Sequence, residues 1–302
     1  MMGMDTWRVV GASASGQSHD VQGVPCQDAH AYRVLEDGTL LVTVADGAGS
    51  AVRAQEGAQN AVLCALAWLA DSLEMDTPDD ADAWRALMAD TFEVTREVLA
   101  AIAHDDGMPL REYSATLMCV VVTDCWLVVG QIGDGIVVME ERGDLTVAVR
   151  PQRGEYANES AFLTMSALSD YVKIEVTGRP PEALAVTTDG LLRLAAKMPD
   201  VTPYGPFFAP LFAFAAGAGD PEQAETALAG FLASERVRAR TDDDTTLVLA
   251  VRDTWEPLPA APPPVVTASL NGHCSAAEVE ECADPLADDT PSVSQAEGED
   301  IA

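Results

Sequence analysis

The chain has 302 residues, of which 48% are hydrophobic, and a formal net charge of −32. This length and apolar content suffice for a large core in one big domain or two small ones. Nucleic acids and anionic membranes are bound through basic surface, so the charge argues against both as direct partners and favours cations and basic proteins.

The six cysteines show neither CxxC pairs nor the short regular spacing of a secreted disulfide framework, which favours a reduced cytoplasmic protein. The N-terminus has no basic stretch followed by an apolar segment. No apolar run approaches the ~18 residues typical of a membrane span. We therefore expect a soluble, untargeted protein.

The first third of the chain changes from strand-like to helix-like spacing. Alternation predicts strands over 7–15, 29–36 and 39–46, and the last two flank Asp37-Gly38, a dipeptide typical of tight hairpins. Apolar residues then recur with helical spacing over 51–74 and 81–104. Both helices are expected to cover a core with one apolar face.

The middle and end of the chain return to strands before a group of helices. Four strands without intervening helices, which favour an antiparallel meander, are predicted over 114–123, 125–132, 135–140 and 145–149. After an irregular region (150–170), strands are predicted over 172–177, 183–188 and 246–251, and helices over 191–196, 207–216 and 221–236. Strands segregated from paired helices predict an α+β fold, with two packed antiparallel sheets flanked by helices.

The last fifty residues differ in composition from the rest. Residues 253–302 contain eleven acidic residues, seven prolines and no Lys or Arg. Such a segment buries too little apolar surface to offset the entropy lost on ordering. We expect a folded domain over 1–252 and a disordered acidic tail over 253–302.

Short acidic motifs lie at the ends of apolar runs. They are Cys26-Gln27-Asp28, Ala45-Asp46-Gly47, Thr188-Asp189-Gly190 and Asp242-Asp243-Asp244. A carboxylate at a strand end is held rigidly, and several that converge at a sheet edge form a site for a hard cation. Taken singly, these aspartates are equally typical of turns, and a charge run is usually a solvated loop.

Together with Gly133-Asp134-Gly135, these motifs have the order and approximate spacing of the metal-dependent serine/threonine protein phosphatases of the 2C type. The chain resembles that family over about residues 7–252. The resemblance is strongest to a bacterial branch whose motifs match Ser18-His19, Pro25-Cys26-Gln27-Asp28, Tyr156-Ala157-Asn158-Glu159 and Phe162-Leu163-Thr164. It implies a four-layer α-β-β-α sandwich.

The resemblance also implies a manganese or magnesium centre of two ions, with a possible third. Asp46 would bridge the two ions, and the carbonyl of Gly47 would be a further ligand of one. Asp189 and Asp243 would complete the protein ligands of the first ion. Asp28 would act on the second ion through water.

The sequence leaves two interpretations open for the last-strand ligand and for Asp134. The family's ligand lies three residues before the threonine that enters the last strand, which selects Asp243 and leaves Asp244 as the fallback. Asp134 matches a turn aspartate that helps to hold the third ion, but a Gly-Asp-Gly turn is just as often only a turn.

The family's usual phosphate-binding arginine is missing from this chain. It lies about five residues before the position of Asp28, where this chain has Gly23. His19 is the candidate replacement, because an imidazolium binds phosphate or protonates a leaving alkoxide. His30 is more typical of a structural hydrogen-bonding residue.

The region around residue 160 corresponds to a mobile flap over the cleft in the family. Asn158 is the candidate substrate-binding residue there, and Glu159 and Thr164 are weaker candidates. A loop cap is the alternative role for all three.

The implied activity is hydrolysis of phosphoserine and phosphothreonine in proteins by a water that bridges the metal ions, in opposition to a serine/threonine kinase. One alternative is a pseudophosphatase that binds a phosphoprotein without turnover, although the principal carboxylates are all present. The other is a different binuclear hydrolase, such as a nuclease or phosphodiesterase. The lack of basic surface disfavours a nucleic-acid substrate.

Overall fold

The computed structural model describes residues 6–151 and 161–256. Within these ranges the chain forms two five-stranded sheets that pack face to face, with helices on both outer faces. The strands are β1 (Trp7–Ala14), β2 (Ala29–Val34), β3 (Leu40–Ala45), β4 (Leu117–Val122), β5 (Leu127–Ile132), β6 (Ile136–Glu141), β7 (Asp144–Val149), β8 (Lys173–Thr177), β9 (Ala183–Thr187), β10 (Ala196–Lys197), β11 (Thr202–Pro203) and β12 (Thr245–Arg252). The helices are α1 (Gln17–Gln22), α2 (Ala54–Met75), α3 (Ala81–Asp105), α4 (Leu192–Ala195), α5 (Gly205–Gly217), α6 (Pro221–Leu232) and α7 (Glu235–Arg238).

Every pairing within the two large sheets is antiparallel. Sheet A has the strand order β1-β12-β9-β6-β7, and sheet B has the order β2-β3-β4-β5-β8. The short strands β10 and β11 pair separately. The predicted α+β class and its sandwich of two antiparallel sheets are confirmed.

The alternation of side chains along the central strands builds two of the core layers at once. On β3, Leu40, Val42 and Val44 pack between the sheets, whereas Leu41 and Ala45 pack against the helices that cover sheet B. Successive side chains of a strand point to opposite faces, so a strand buried on both faces is apolar throughout. This explains why the sequence of these strands is a continuous run of apolar residues.

Two pairs of helices complete the outer layers. Helices α2 and α3 cover sheet B, and α5 and α6 cover sheet A. Asp80 caps α3 by accepting hydrogen bonds from the backbone N–H groups of Asp82 and Ala83, and Asp220 caps α6 by accepting one from the N–H of Gln223. Because Pro221 follows Asp220 at the first helical position, the start of α6 is well defined.

Helix α1 is an element that periodicity did not predict. Its six residues include none that is buried, so no apolar spacing marks it. It ends at Gly23, whose φ of 68° lies in the left-handed region that glycine adopts without strain. Gly23, which stands where the resembled family has its phosphate-binding arginine, is therefore a helix C-cap in this protein.

The predicted four-stranded meander was wrong in its connectivity. Strands β4 and β5 form a hairpin in sheet B, whereas β6 and β7 form a hairpin in sheet A. The chain crosses between the sheets at Gly133-Asp134-Gly135, where Gly133 has a φ of 110°. A turn within one sheet and a crossover between sheets look alike in a local pattern, because both join two buried strands through glycine.

The folded part continues past the predicted boundary at residue 252. Asp253 pairs with Arg8, with 2.8 Å between carboxylate and guanidinium, and the buried ring of Trp255 packs edge-on against Phe212. Residues 257–302, which hold most of the predicted acidic tail, lie outside the described residues. No helix in the described ranges combines the length and apolarity needed to cross a bilayer.

Candidate metal centre

The ends of strands from both sheets meet at one edge of the sandwich. In sheet B, Ala29 pairs with Ala45, which brings the start of β2 beside the end of β3. In sheet A, Thr187 pairs with both Ile136 and Leu247, so the end of β9 lies between the starts of β6 and β12. The five aspartate-bearing segments of the sequence analysis all attach at these ends.

Three of the predicted ligands lie within metal-binding distance of one another. One carboxylate oxygen from each of Asp46, Asp134 and Asp189 falls within 4.8 Å of the other two. Asp134 reaches the group because the crossover between the sheets carries it there. Clustered carboxylate oxygens are the donor set that hard divalent cations prefer.

Burial and mutual repulsion make this cluster difficult to ionise without cations. Burial raises the pKa of Asp46 well above its usual value, and the charges of Asp28, Asp189, Asp243 and Asp134 raise it further. Burial, Asp134 and Asp243 likewise raise the pKa of Asp189 to about 7. The five carboxylates therefore repel one another when ionised, and a bound cation would reduce that repulsion.

Asp28 is buried, and the protein satisfies only one side of its carboxylate. Oδ2 accepts a hydrogen bond of 2.8 Å from the hydroxyl of Thr188. Oδ1 is buried and has no hydrogen-bond partner among the residues that the structure describes. Burial raises the pKa of Asp28 to about 7, although the hydrogen bond from Thr188 lowers it. A buried oxygen without a donor is a suitable place for a cation or its water.

The backbone around Asp46 is held on both sides. The Asp46 N–H donates to the hydroxyl of Thr116 at 2.9 Å, and the Thr116 N–H donates to the Asp46 carbonyl at 2.8 Å. At Gly47, a Cβ would lie 2.7 Å from the carbonyl oxygen of Ala54 and 2.8 Å from that of Gln27. Only glycine fits there, so the Asp-Gly pair reflects close packing as well as chemistry.

Asp243 and Asp244 have different environments. Asp244 is buried and accepts hydrogen bonds from the backbone N–H groups of Gly16 (2.7 Å) and Gln27 (2.6 Å) and from Nδ1 of His19 (2.9 Å). Asp243 is more exposed, and burial together with the Asp244 charge raises its pKa. This supports Asp243 as the ligand and makes Asp244 an internal anchor, a role that the sequence analysis missed.

His19 lies beside the cluster and is oriented by Asp244. Its side chain is 15% exposed, and with Nδ1 engaged, Nε2 is the ring nitrogen left to meet a substrate. An arginine also reaches α1 from elsewhere in the chain. Arg238 pairs with Asp20 at 2.8 Å and contacts the carbonyl of Ser15.

Of the remaining candidate residues, two form hydrogen bonds in the structure and two lie outside the described residues. Nδ1 of His30 lies 2.9 Å from the hydroxyl of Ser13, in keeping with a structural role. The hydroxyl of Thr164 lies 2.6 Å from that of Ser114, whose carbonyl accepts from the N–H of Ala48 beside Gly47. Asn158 and Glu159 lie outside the described residues.

Comparisons with known proteins point in one direction. Residues 15–233 match the family model described as protein phosphatase 2C. The chain is 36% identical over 254 residues to serine/threonine-protein phosphatase 3 of Escherichia coli (strain K12). The aligned region covers 82% of this chain and 98% of that protein.

Solved structures share the fold at low sequence identity. The catalytic domain of the serine/threonine protein phosphatase PstP, solved in complex with two manganese ions, has a TM-score of 0.55 and 16% identity, covering 82% of this chain and 98% of that one. The serine/threonine phosphatase Stp1 from Staphylococcus aureus has a TM-score of 0.55 and 14% identity, covering 83% and 97%. With its fold, its motifs and the family match in agreement, this chain belongs to the protein phosphatase 2C family.

Proposed function

We propose that this protein is a metal-dependent phosphoprotein phosphatase that hydrolyses phosphoserine and phosphothreonine and requires Mn²⁺ or Mg²⁺. The observation that carries the proposal is the convergence of five aspartates, drawn from both sheets, at one edge of the sandwich. The family membership and the serine/threonine phosphatase relative support the reaction. The manganese ions of PstP support the choice of metal.

The residues at the site fit such ions. Carboxylate oxygens from three different loops approach within 4.8 Å of one another, and the buried Oδ1 of Asp28 lacks a donor among the described residues. When bound, two such ions lower the pKa of water between them and stabilise the charge that develops on a transferring phosphoryl group. This chain's own residues hold the ions and orient the substrate.

The proposed ligand roles follow the family motifs. Asp46 would be the ligand shared by two ions, and the Gly47 carbonyl would add a ligand to one of them. Asp189 and Asp243 would complete the protein ligands of that ion, and Asp28 would act on the other through water. Asp134 would serve a third ion together with Asp189.

His19 is the proposed phosphate-contacting residue. Asp244 accepts its Nδ1 hydrogen, so the imidazole is held in one orientation with Nε2 available. A protonated Nε2 would donate a hydrogen bond to a phosphate oxygen or pass its proton to the leaving serine or threonine oxygen. Asn158 remains a predicted substrate contact.

We further propose that the protein acts in the cytoplasm as a bacterial-type signalling phosphatase that opposes a serine/threonine kinase. The unpaired state of the four described cysteines supports a reducing compartment. The proposed domain arrangement is a catalytic domain followed by an acidic tail.

The test measures phosphate release from a phosphothreonine peptide and from p-nitrophenyl phosphate, with and without Mn²⁺. We expect manganese-dependent release that Asp46→Asn abolishes. The matched control is Asp37→Asn in the β2–β3 hairpin, outside the site. A folded protein that releases no phosphate with any divalent ion would instead be a pseudophosphatase. Turnover of phosphodiesters alone would indicate a different hydrolase.

A further inference from the structure

The crossover that carries Asp134 is held by the buried side chain of Gln131. Nε2 of Gln131 donates hydrogen bonds to the carbonyl of Gly133 at 3.2 Å and to the carbonyl of Gly135 at 2.7 Å. These two glycines lie directly before and after Asp134 in the chain. Both acceptors are carbonyls, so the nitrogen of the amide and not its oxygen must face them. A single amide group therefore holds both sides of the turn.

Gln131 reaches the crossover because it lies near the end of β5 and points between the sheets. Leu127 and Val129, which share its face of the strand, pack in the apolar layer between sheets A and B. Gln131 is fully buried, and its register partner on β4, Met118, belongs to the same layer. A polar side chain in an apolar layer is costly unless it is hydrogen-bonded. The two carbonyls, rather than packing, therefore account for glutamine at this position.

The other atom of the amide leads to the same conclusion. Oε1 of Gln131 is buried and has no hydrogen-bond partner among the residues that the structure describes. A buried acceptor without a donor is destabilising. An apolar side chain of similar length would avoid that cost, so stability alone does not explain the glutamine.

Gly133 brings the turn close to the segment that carries Asp46. A Cβ at Gly133 would lie 2.5 Å from Cγ2 of Thr116. The hydroxyl of Thr116 accepts the backbone N–H of Asp46 at 2.9 Å. The first half of the turn therefore packs on the residue that holds the Asp46 backbone.

Gly135 brings the turn equally close to the segment that carries Asp189. A Cβ at Gly135 would lie 2.7 Å from the carbonyl oxygen of Thr187. Thr187 is the last residue of β9 and lies two residues before Asp189. The second half of the turn therefore packs on the strand end from which Asp189 projects into the cluster.

From these contacts we propose that Gln131 is a positioning residue, which holds Asp134 where its carboxylate oxygen joins those of Asp46 and Asp189. The inference rests on the proposed metal-dependent function. The three oxygens lie within 4.8 Å of one another, so the carboxylates repel one another when ionised. The turn must be held against that repulsion if the group is to be ready for a cation. Gln131 acts through the turn and does not need to touch the metal.

The test measures the binding of Mn²⁺ to the metal-stripped full chain by calorimetry, with thermal melting as the measure of stability. Gln131→Met keeps the length of the side chain, suits the apolar layer and removes the donor. It should weaken manganese binding about ten- to a hundredfold, the range typical of groups that orient a metal ligand. Gln131→Leu also removes the donor and takes its place if Gln131→Met does not fold.

A double-mutant cycle with Asp134 separates positioning from general stability. Asp134→Asn removes the carboxylate charge and should weaken manganese binding by itself. Adding Gln131→Met to Asp134→Asn should then change the affinity little, because the group that Gln131 positions is already lost.

Thr43→Val is the matched control. Thr43 on β3 is a buried threonine whose hydroxyl donates to the carbonyl of Val62 at 3.0 Å, outside the site. Loss of that hydrogen bond should lower the melting temperature and leave manganese affinity unchanged.

The possible results distinguish the positioning role from the proposed function. If wild type binds manganese and Gln131→Met binds it equally well, Gln131 only stabilises the fold and the inference is wrong. Equal losses of affinity from Gln131→Met with and without Asp134→Asn would also contradict it, because Gln131 would then not act through Asp134. Wild-type affinity in Asp134→Asn would refute the inference and leave the metal-dependent function standing. If wild type binds no manganese, the proposed function fails, and the inference fails with it.

Discussion

The carboxylate of Asp244 accepts a hydrogen bond from Nδ1 of His19 at 2.9 Å, whereas the charge of the adjacent Asp243 raises the pKa values of Asp46 and Asp189. The same carboxylate accepts the backbone N–H groups of Gly16 and Gln27. One buried side chain thus joins the loop before α1, the segment that carries Asp28, and the start of β12.

Replacing Asp244 by Ala should be strongly destabilising. Two backbone N–H groups and a histidine would lose their acceptor, and buried donors without acceptors are costly, so we expect a loss of about 3 kcal/mol or more in the free energy of unfolding. Urea denaturation of the metal-free protein measures this. Asp242→Ala, at the exposed neighbouring position, is the control and should change the free energy little; equal effects for both would contradict the anchoring role.

Replacing His19 by Ala should affect catalysis more than stability. The imidazole is partly exposed, so the melting temperature should fall far less than in Asp244→Ala. If Nε2 contacts the phosphate, KM for a phosphopeptide should rise or kcat should fall, by about a hundredfold or more where His19 also protonates the leaving oxygen. Steady-state kinetics that match wild type would remove His19 from the site, and Arg238→Ala would then be the next variant to measure.

The stability of the metal-free protein should fall as the pH rises. Asp28 and Asp189 have folded-state pKa values raised to about 7 from an ordinary value of 3.8, so the folded state holds protons that the unfolded state has released. Their stabilising effect is complete below about pH 4 and is lost as the pH rises through about 7. Thermal melting of chelator-treated protein between pH 5 and pH 8 should show this fall, on which effects of other groups are superimposed.

Manganese should reverse that fall. Bound cations neutralise the clustered carboxylates and bind the folded state only, so they raise the melting temperature most at the upper end of the pH range. Melting curves that are identical with Mn²⁺ and with chelator at pH 8 would contradict a metal centre at this site.

Replacing Asp46 by Asn should stabilise the metal-free protein while it abolishes phosphatase activity. Asp46 is repelled by the four other aspartates of the cluster, and the amide removes that repulsion without changing the shape of the side chain. The melting temperature of the chelator-treated variant should exceed that of wild type at pH 8. A lower value would show that Asp46 is held by interactions other than metal ions.

Replacing Gly190 by Ala should disrupt the site through sterics alone. A Cβ at Gly190 would overlap the carbonyl oxygen of Asp244, a backbone atom that cannot move without shifting the start of β12. We expect a loss of several kcal/mol in the free energy of unfolding, or failure to fold. Gly230→Ala in α6 is the control, because that position opens to free space and the change should stabilise the helix by about 0.5–1 kcal/mol.

Much of the fold followed from local patterns. The hairpin of β2 and β3, the long helices α2 and α3, and the strand β12 lie within a few residues of their predicted ranges. These elements are long or strongly apolar, so their period is clear. Helix α1 has no buried residue and therefore left no pattern to detect.

The chain's sequence by itself determined the fold class, the family resemblance and the identity of the clustered aspartates, because strand-end carboxylates and their spacing are local features. It did not distinguish the roles of Asp243 and Asp244, reveal the hydrogen bond between His30 and Ser13, or show that Gly133-Asp134-Gly135 passes from one sheet to the other. These depend on which backbone atoms approach from distant segments. Only the packing of the two sheets brings those segments together.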